Sequence, residues 1–185
     1  MTIETHGLDT LERVFFYEHD FYVLSNFSAF ALCWKDRVFL TSEAAYQWEK
    51  FGPEPWGVPW EKAAWDDRVA LREGIQANIH AAMSAHEAFK IAEQCRVHRR
   101  CDWDAVKVGI MREILCRKAS QHEYVRRKLL ATGNRELIED SWRDDFWGWG
   151  PNRDGQNQLG RLWMDIREEL REQERVVVPS RGTLP

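Results

Sequence analysis

The sequence predicts a mainly α-helical single domain with a small N-terminal β-hairpin. Three observations carry that expectation. The chain has 185 residues, about the length of one ordinary domain and enough to bury a core. Its composition, 44% hydrophobic and 30% charged, is globular. Strand-like segments are confined to the first forty residues, and helical periodicity with capping signals runs through most of the remaining chain. The expected organisation is an N-terminal arm over 1–13, the domain over 14–175 and a loosely held tail over 176–185.

Taken in order, 14–24 and 29–40 read as short strands. In Ala29–Leu40, β-branched and aromatic residues flank Lys35-Asp36, a plausible hairpin turn. Thr41 and Ser42 stand where an N-cap belongs, Glu43 falls in the first turn, and the helix runs to Phe51 before Gly52-Pro53 stops it. The stretch from Glu54 to Gly57, rich in Pro and Trp, reads as loop, and helical pattern resumes near Glu61. Ser84-x-x-Glu87 is a capping-box pattern. Asp102 is placed to cap a helix whose apolar face is Val106, Ile110 and Ile114. A helix over 121–131 ends at Gly133-Asn134. The segment Asp144–Asn157 is a long loop dense in glycine and aromatics, a type that is usually functional. Leu159, Leu162, Trp163, Ile166 and Leu170 form the core stripe of a last helix.

Composition excludes some classes of function. No apolar run has the length of a signal peptide or a membrane span. Cys33, Cys95, Cys101 and Cys116 show no paired spacing, so a reducing cytoplasm is expected. Cys95-x2-His98-x2-Cys101 has no fourth ligand, and these thiols read as buried rather than zinc-binding. The net charge of −4 argues against a non-specific nucleic-acid binder. Residues 90–128, however, hold eleven Lys/Arg against five Asp/Glu, a local +6 that leaves −10 elsewhere. Ten tryptophans supply planes on which a base or sugar can stack.

Three constellations can carry chemistry. On the helix 42–51, Glu43, Tyr46, Gln47 and Lys50 share one face, while Ala44, Ala45, Trp48 and Phe51 suggest burial. Glu43 and Lys50 lie about 10 Å apart along the axis, too far for a simple ion pair but suited to gripping one ligand from two ends. Asp144-Asp145-Phe146-Trp147-Gly148 sets two carboxylates beside indoles, as a stacked sugar or base requires. Asn157 reads as an N-cap, with Gly160 one turn in, a helix start that can receive a phosphate.

In order along the chain stand Leu24-Ser25-Asn26-Phe27; Thr41-Ser42-Glu43 with Tyr46, Gln47, Lys50 and Phe51; and Arg99-x3-Trp103-x3-Lys107 with Met111. Asp144-x2-Trp147-Gly148 and Asn157-x-Leu159-Gly160-x3-Met164-x2-Arg167 come after them. With these five pieces, over residues 24–167, the chain resembles the NADAR (YbiA-like) family. The resemblance implies a compact, mainly helical fold and N-glycosidase activity: removal of ADP-ribose from guanine bases, or hydrolysis of ribosylamine intermediates of riboflavin synthesis. It places Glu43, Lys50, Trp103 and Asp144 in the pocket, with Glu43 and Lys50 as the catalytic pair. Ser25, Asn26, Phe27, Tyr46, Trp147, Gly148, Asn157, Leu159 and Gly160 are the further substrate-binding positions. No metal or other cofactor is expected. A cognate ADP-ribosyltransferase toxin is admitted as partner, and no membrane. The chain departs from the family pattern over 53–82, a longer Trp/Pro-rich segment that bears on the pocket rim.

Cleaving a ribosyl–amine bond requires stabilised positive charge at the anomeric carbon, an activated water and a proton for the departing nitrogen. Glu43 is assigned charge stabilisation or general base. Lys50 either holds the substrate as a cation or attacks a ring-opened sugar as a Schiff-base amine. Trp103 and Trp147 are expected to stack, Asp144 to bind hydroxyls or assist proton transfer, and the backbone at 157–160 to hold phosphate. An ADP-ribose–guanine hydrolase is the favoured reading and a riboflavin-pathway N-glycosidase the second. A non-catalytic ADP-ribose- or NAD-binding module is the third, and an acid and an amine on one buried face argue against it.

Overall fold

A computed structural model describes residues 8–17, 19–53 and 62–177. The expected loop from Glu54 to Gly57 lies outside them, as do most of the arm and of the tail. Six α-helices and four three-residue strands are present among the described residues, so the chain is mainly helical as expected. Its contacts divide into two units: residues 26–122, and the flanking segments 1–25 and 123–185.

The central unit begins with the hairpin β2 (Leu32–Trp34) and β3 (Arg37–Phe39), antiparallel with Cys33 opposite Val38. Lys35 and Asp36 turn it with φ of 47° and 61°, the left-handed pair that matches strand twist in a two-residue hairpin. The side-chain amide of Gln121 completes the free side of β2: Cys33 N–H donates to Gln121 Oε1 at 2.7 Å, and Gln121 Nε2 donates to the Cys33 carbonyl at 2.9 Å. Helix α1 (Ser42–Glu49) starts at Thr41, whose hydroxyl accepts from the Ala44 N–H at 3.1 Å. It packs against α2 (Lys62–Ala81), α3 (Ala85–Gln94) and α4 (Trp103–Gln121). Ser84 caps α3 through the Glu87 N–H, while the Glu87 carboxylate accepts from Met83 N–H, one residue earlier than a standard capping box.

Two expectations for α4 are corrected. Asp102 makes no side-chain cap; its carboxylate is taken by Arg100 at 2.5 and 2.8 Å. The buried face is Trp103, Met111, Ile114, Leu115, Lys118 and Ala119, with Val106 and Ile110 only half-buried. The thiols are corrected too: Cys33 and Cys101 are exposed, and Cys95 and Cys116 are half-buried.

In the other unit, β1 spans Arg13–Phe15, so Val14 and Phe15 alone of the described residues of the expected strand 14–24 are in a strand, and His19–Leu24 forms a 3-10 helix. After α5 (Glu123–Ala131), β4 (Glu136–Ile138) pairs with β1 in parallel, with Val14 opposite Leu137. Helix α6 (Gln158–Val177) packs on β4 and α5. Its Trp163, fully buried, donates from Nε1 to the Leu24 carbonyl at 2.8 Å.

Candidate active site

In the central unit, α1 carries most of the chemistry. Ser42 to Gln47 are all buried, and Glu43 keeps only 6% of its surface. A carboxylate there needs compensation. The backbone N–H of Glu43 donates to the Asn26 carbonyl at 3.1 Å, and Gln47 Nε2 donates to Glu43 Oε1 at 2.6 Å. Glu43 also lies in the first helical turn, where the macrodipole favours negative charge. The i, i+4 spacing legible in the sequence thus becomes a positioning contact between acid and amide.

Lys50 stands just past the last turn of α1, half-buried, its amine 5.5 Å from the Tyr46 ring centre and 5.9 Å from that of Trp103. The two rings are tilted together at 5.0 Å. Trp103 is only 2% exposed, so its expected stacking on a base is replaced by a role beneath Lys50. The Lys50 carbonyl accepts from Arg100 N–H at 2.8 Å, which ties the lysine to the start of α4.

Asn26 is 5% exposed, and its Nδ2 donates to Met111 Sδ at 3.2 Å. Its Oδ1, together with Gln47 Oε1 and Ser42 Oγ, is buried without a hydrogen-bond partner. Buried acceptors of this kind are normally satisfied, so each is suited to a donor brought by a ligand or water. Phe27 keeps 39% of its surface, as a stacking group would. Ser25, the last residue of the first flanking segment, is 2% exposed and uses its N–H on the Tyr22 carbonyl.

Two buried ionisable groups of this unit are not apparent in the sequence. Glu49, at 1% side-chain exposure, accepts from Trp34 Nε1 at 2.6 Å and pairs with Lys35 at 2.8 Å. Lys118, with no exposure at all, donates to Ser28 Oγ at 2.7 Å; burial pushes its amine down to about 7. Neither announces itself, because each looks like an ordinary solvated charge until its partners are known.

The remaining expected residues stand in the flanking unit. Asp144 Oδ1 accepts from the N–H groups of Phe146 and Trp147 at 2.9 and 2.8 Å, folding the loop back on itself and fixing Trp147. Trp147 stands edge-on to Phe146 at 5.0 Å. Gly148 is required by packing, since a Cβ there would lie 2.8 Å from the Glu139 carbonyl.

The phosphate-receiving helix start is corrected. Asn157, at φ 51°, spends its side chain on β4, accepting from Glu139 N–H at 3.0 Å and donating to the Leu137 carbonyl at 2.8 Å. The N–H groups of Asn157, Gln158 and Leu159 donate to the carbonyls of Gly148, Phe146 and Trp147. Gly160 is explained by close approach, because a Cβ would overlap the Leu137 carbonyl and the Asn157 amide. Glycine and asparagine here serve helix-to-strand packing.

The NADAR domain model matches residues 15–171. The chain belongs to the NADAR family. A Nostoc punctiforme protein named N-glycosidase is 38% identical over 147 residues, 80% of this chain and 84% of its own. Escherichia coli N-glycosidase YbiA is 30% identical over 162 residues, 88% of this chain and 89% of its own. The NMR structure of E. coli YbiA aligns with a TM-score of 0.73 at 26% identity, covering 98% of this chain and all of that one. A Vibrio vulnificus riboflavin biosynthesis protein is 34% identical over 87% of this chain, which matches only 39% of that protein. This NADAR chain is therefore a member of a family of N-glycosidases, hydrolases of N-glycosyl bonds. Among its described residues no helix is long and apolar enough to cross a membrane, and no group of three or more His, Cys, Asp or Glu is placed to hold a metal.

Proposed function

We propose that this NADAR chain removes ADP-ribose from guanine bases of DNA or RNA by hydrolysing the bond between ribose C1 and the base amine. The observation that carries the chemistry is α1, where a buried carboxylate oriented by Gln47 and an amine seated on two rings share one helix. A module that only bound ADP-ribose would gain nothing from burying an acid in this way.

Glu43 supplies negative charge and general-base capacity at the anomeric carbon. Once the sugar ring opens, C1 is joined to the guanine nitrogen as an imine. The Lys50 Nζ lone pair adds to C1, the two amine protons pass to the guanine nitrogen, and the C1–N bond to guanine breaks to leave an imine on Lys50 and a free guanine amine. Water then hydrolyses the imine and returns the lysine. Attack uses the neutral amine, whose Nζ stands 5.5 Å from the Tyr46 ring centre and 5.9 Å from that of Trp103. Lys50→Arg keeps charge but cannot form the imine. The expected result is a variant nearly inactive yet still able to bind ADP-ribose, with borohydride trapping an adduct on the wild type during turnover. Robust activity in Lys50→Arg returns Lys50 to a gripping role.

A riboflavin-pathway ribosylamine is the second substrate reading, favoured by the name of the V. vulnificus relative. Side-by-side turnover of ADP-ribosylated guanine DNA and of that ribosylamine separates the two.

A further inference from the structure

Lys118 is the most completely buried cation among the described residues, and the mechanism does not use it. An apolar side chain of similar length would fill the same space without the cost of desolvating an amine. Its Nζ meets Ser28 Oγ at 2.7 Å and lies 5.5 Å from the Phe30 ring centre. Ser28 is 1% exposed, and its carbonyl accepts from Phe30 N–H at 2.8 Å in a tight turn. Two residues earlier, Asn26 bonds Met111 through its side chain and the Glu43 N–H through its carbonyl. Met111 and Lys118 are seven positions apart, two turns along one face of α4. The segment Asn26–Ser28 is thus held at both ends by a single helix, and Phe27 projects between the two anchors with 39% of its surface exposed.

We infer that Lys118 is a positioning residue for the reaction: through Ser28 it fixes the Asn26–Ser28 segment, and so holds the Asn26 carbonyl against the first turn of α1 beside Glu43. The path runs from Lys118 to Ser28 by a hydrogen bond, along the chain through Phe27 to Asn26, and from the Asn26 carbonyl to the Glu43 N–H; Ser28, Asn26 and Glu43 are all buried. The depressed amine pKa fits this placement, since burial takes the amine out of water.

The inference rests on Glu43 serving turnover, so the test has one arm that needs no substrate. Lys118→Met, Ser28→Ala and the double variant are compared with wild type, with far-UV circular dichroism and cooperative melting to establish folding. Amide hydrogen exchange at Glu43 should quicken at least tenfold in each single variant, because the Asn26 acceptor is no longer held. On a substrate the wild type turns over, kcat should fall about tenfold in each, with KM within threefold. The double variant should be no worse than either single by more than twofold, as expected for two groups acting through one contact. Unchanged exchange at Glu43, a kcat within twofold of wild type in either single, or an additive double variant overturns the inference. If Lys118→Met fails to fold, Ser28→Ala decides by the same thresholds, since it deletes one hydroxyl. A wild type inactive on every N-glycoside defeats the functional reading, and the exchange arm then decides the tether by itself.

Discussion

Glu43 is held by the hydrogen bond from its backbone N–H to the Asn26 carbonyl and by that from the Gln47 amide to its Oε1, and both contacts make its replacement informative. Glu43→Gln keeps the shape and removes charge and basicity, so kcat is expected to fall about 100-fold or more, measured on the preferred N-glycoside with melting temperature as control. A variant within threefold of wild type would remove Glu43 from the chemistry. Lys118 gives a residue-scale prediction of another kind. Its folded pKa of about 7 lies below the 10.5 of the free side chain, so between those values the unfolded chain binds the extra proton. Its contribution to stability is therefore fully present above pH 10.5 and is lost as pH falls through 7. Denaturant unfolding at pH 7 and pH 9 should show wild type gaining on Lys118→Met at the higher pH, by up to about 1.4 kcal/mol per pH unit. No gain, or the opposite sign, would mean the amine stays charged in the folded protein.

At the scale of elements, the contacts read correctly were local ones. Thr41 and Ser84 do cap helices, Lys35-Asp36 does turn a hairpin, and Glu43 and Gln47 meet across one helical turn, because each contact lies within four residues. Asp102 misled because Arg100, two residues away, outcompetes the helix start; that hydrogen bond also holds the Asp102 carboxyl below its usual value. Asn157 and Gly160 misled because their partners sit on β4, some twenty residues back, and nothing in a helix-start pattern reveals a neighbouring strand. The basic stretch 90–128 likewise looked freer than it is. Arg99 pairs with exposed Asp104, whereas Arg100 is 15% exposed, bound to Asp102 and hydrogen-bonded through its backbone to Lys50. The two arginines are therefore expected to separate. Arg99→Glu should raise KM for an oligonucleotide substrate more at low salt than at high salt, and leave a small ADP-ribosylated nucleoside unaffected. Arg100→Glu should slow both substrates by disturbing Lys50. Parallel behaviour of the two variants on both substrates would refute the distinction. In the loop after β4, Asp144→Ala frees the N–H groups of Phe146 and Trp147, and quenching of tryptophan fluorescence by acrylamide should rise.

At the scale of the whole molecule, helix content and family were readable, but the strand closing the flanking unit was not. β1 and β4 are three residues each and pair across a separation of 123 positions, and a three-residue strand has too little alternation to be seen in sequence. The chain is thus threaded as two units, with 26–122 running uninterrupted and the rest assembled from both ends. Native-state hydrogen exchange in rising denaturant should resolve two cooperative groups of amides with these boundaries. A single isotherm for all slowly exchanging amides would show that they open together.

The Gln121 amide alongside Cys33 has a consequence for self-association. A strand of a two-stranded ribbon leaves one row of backbone groups open, and an open row is a template on which a second molecule can extend the sheet. Here a side chain from α4 occupies that row with the donor and acceptor a neighbouring strand would offer. Gln121→Ala would strip this cover and leave the Cys33 thiol beside a naked ribbon edge in every molecule. Light scattering on storage should then climb faster for the variant than for wild type, in reducing buffer as well as in air, since the exposed template is the backbone and not the sulfur.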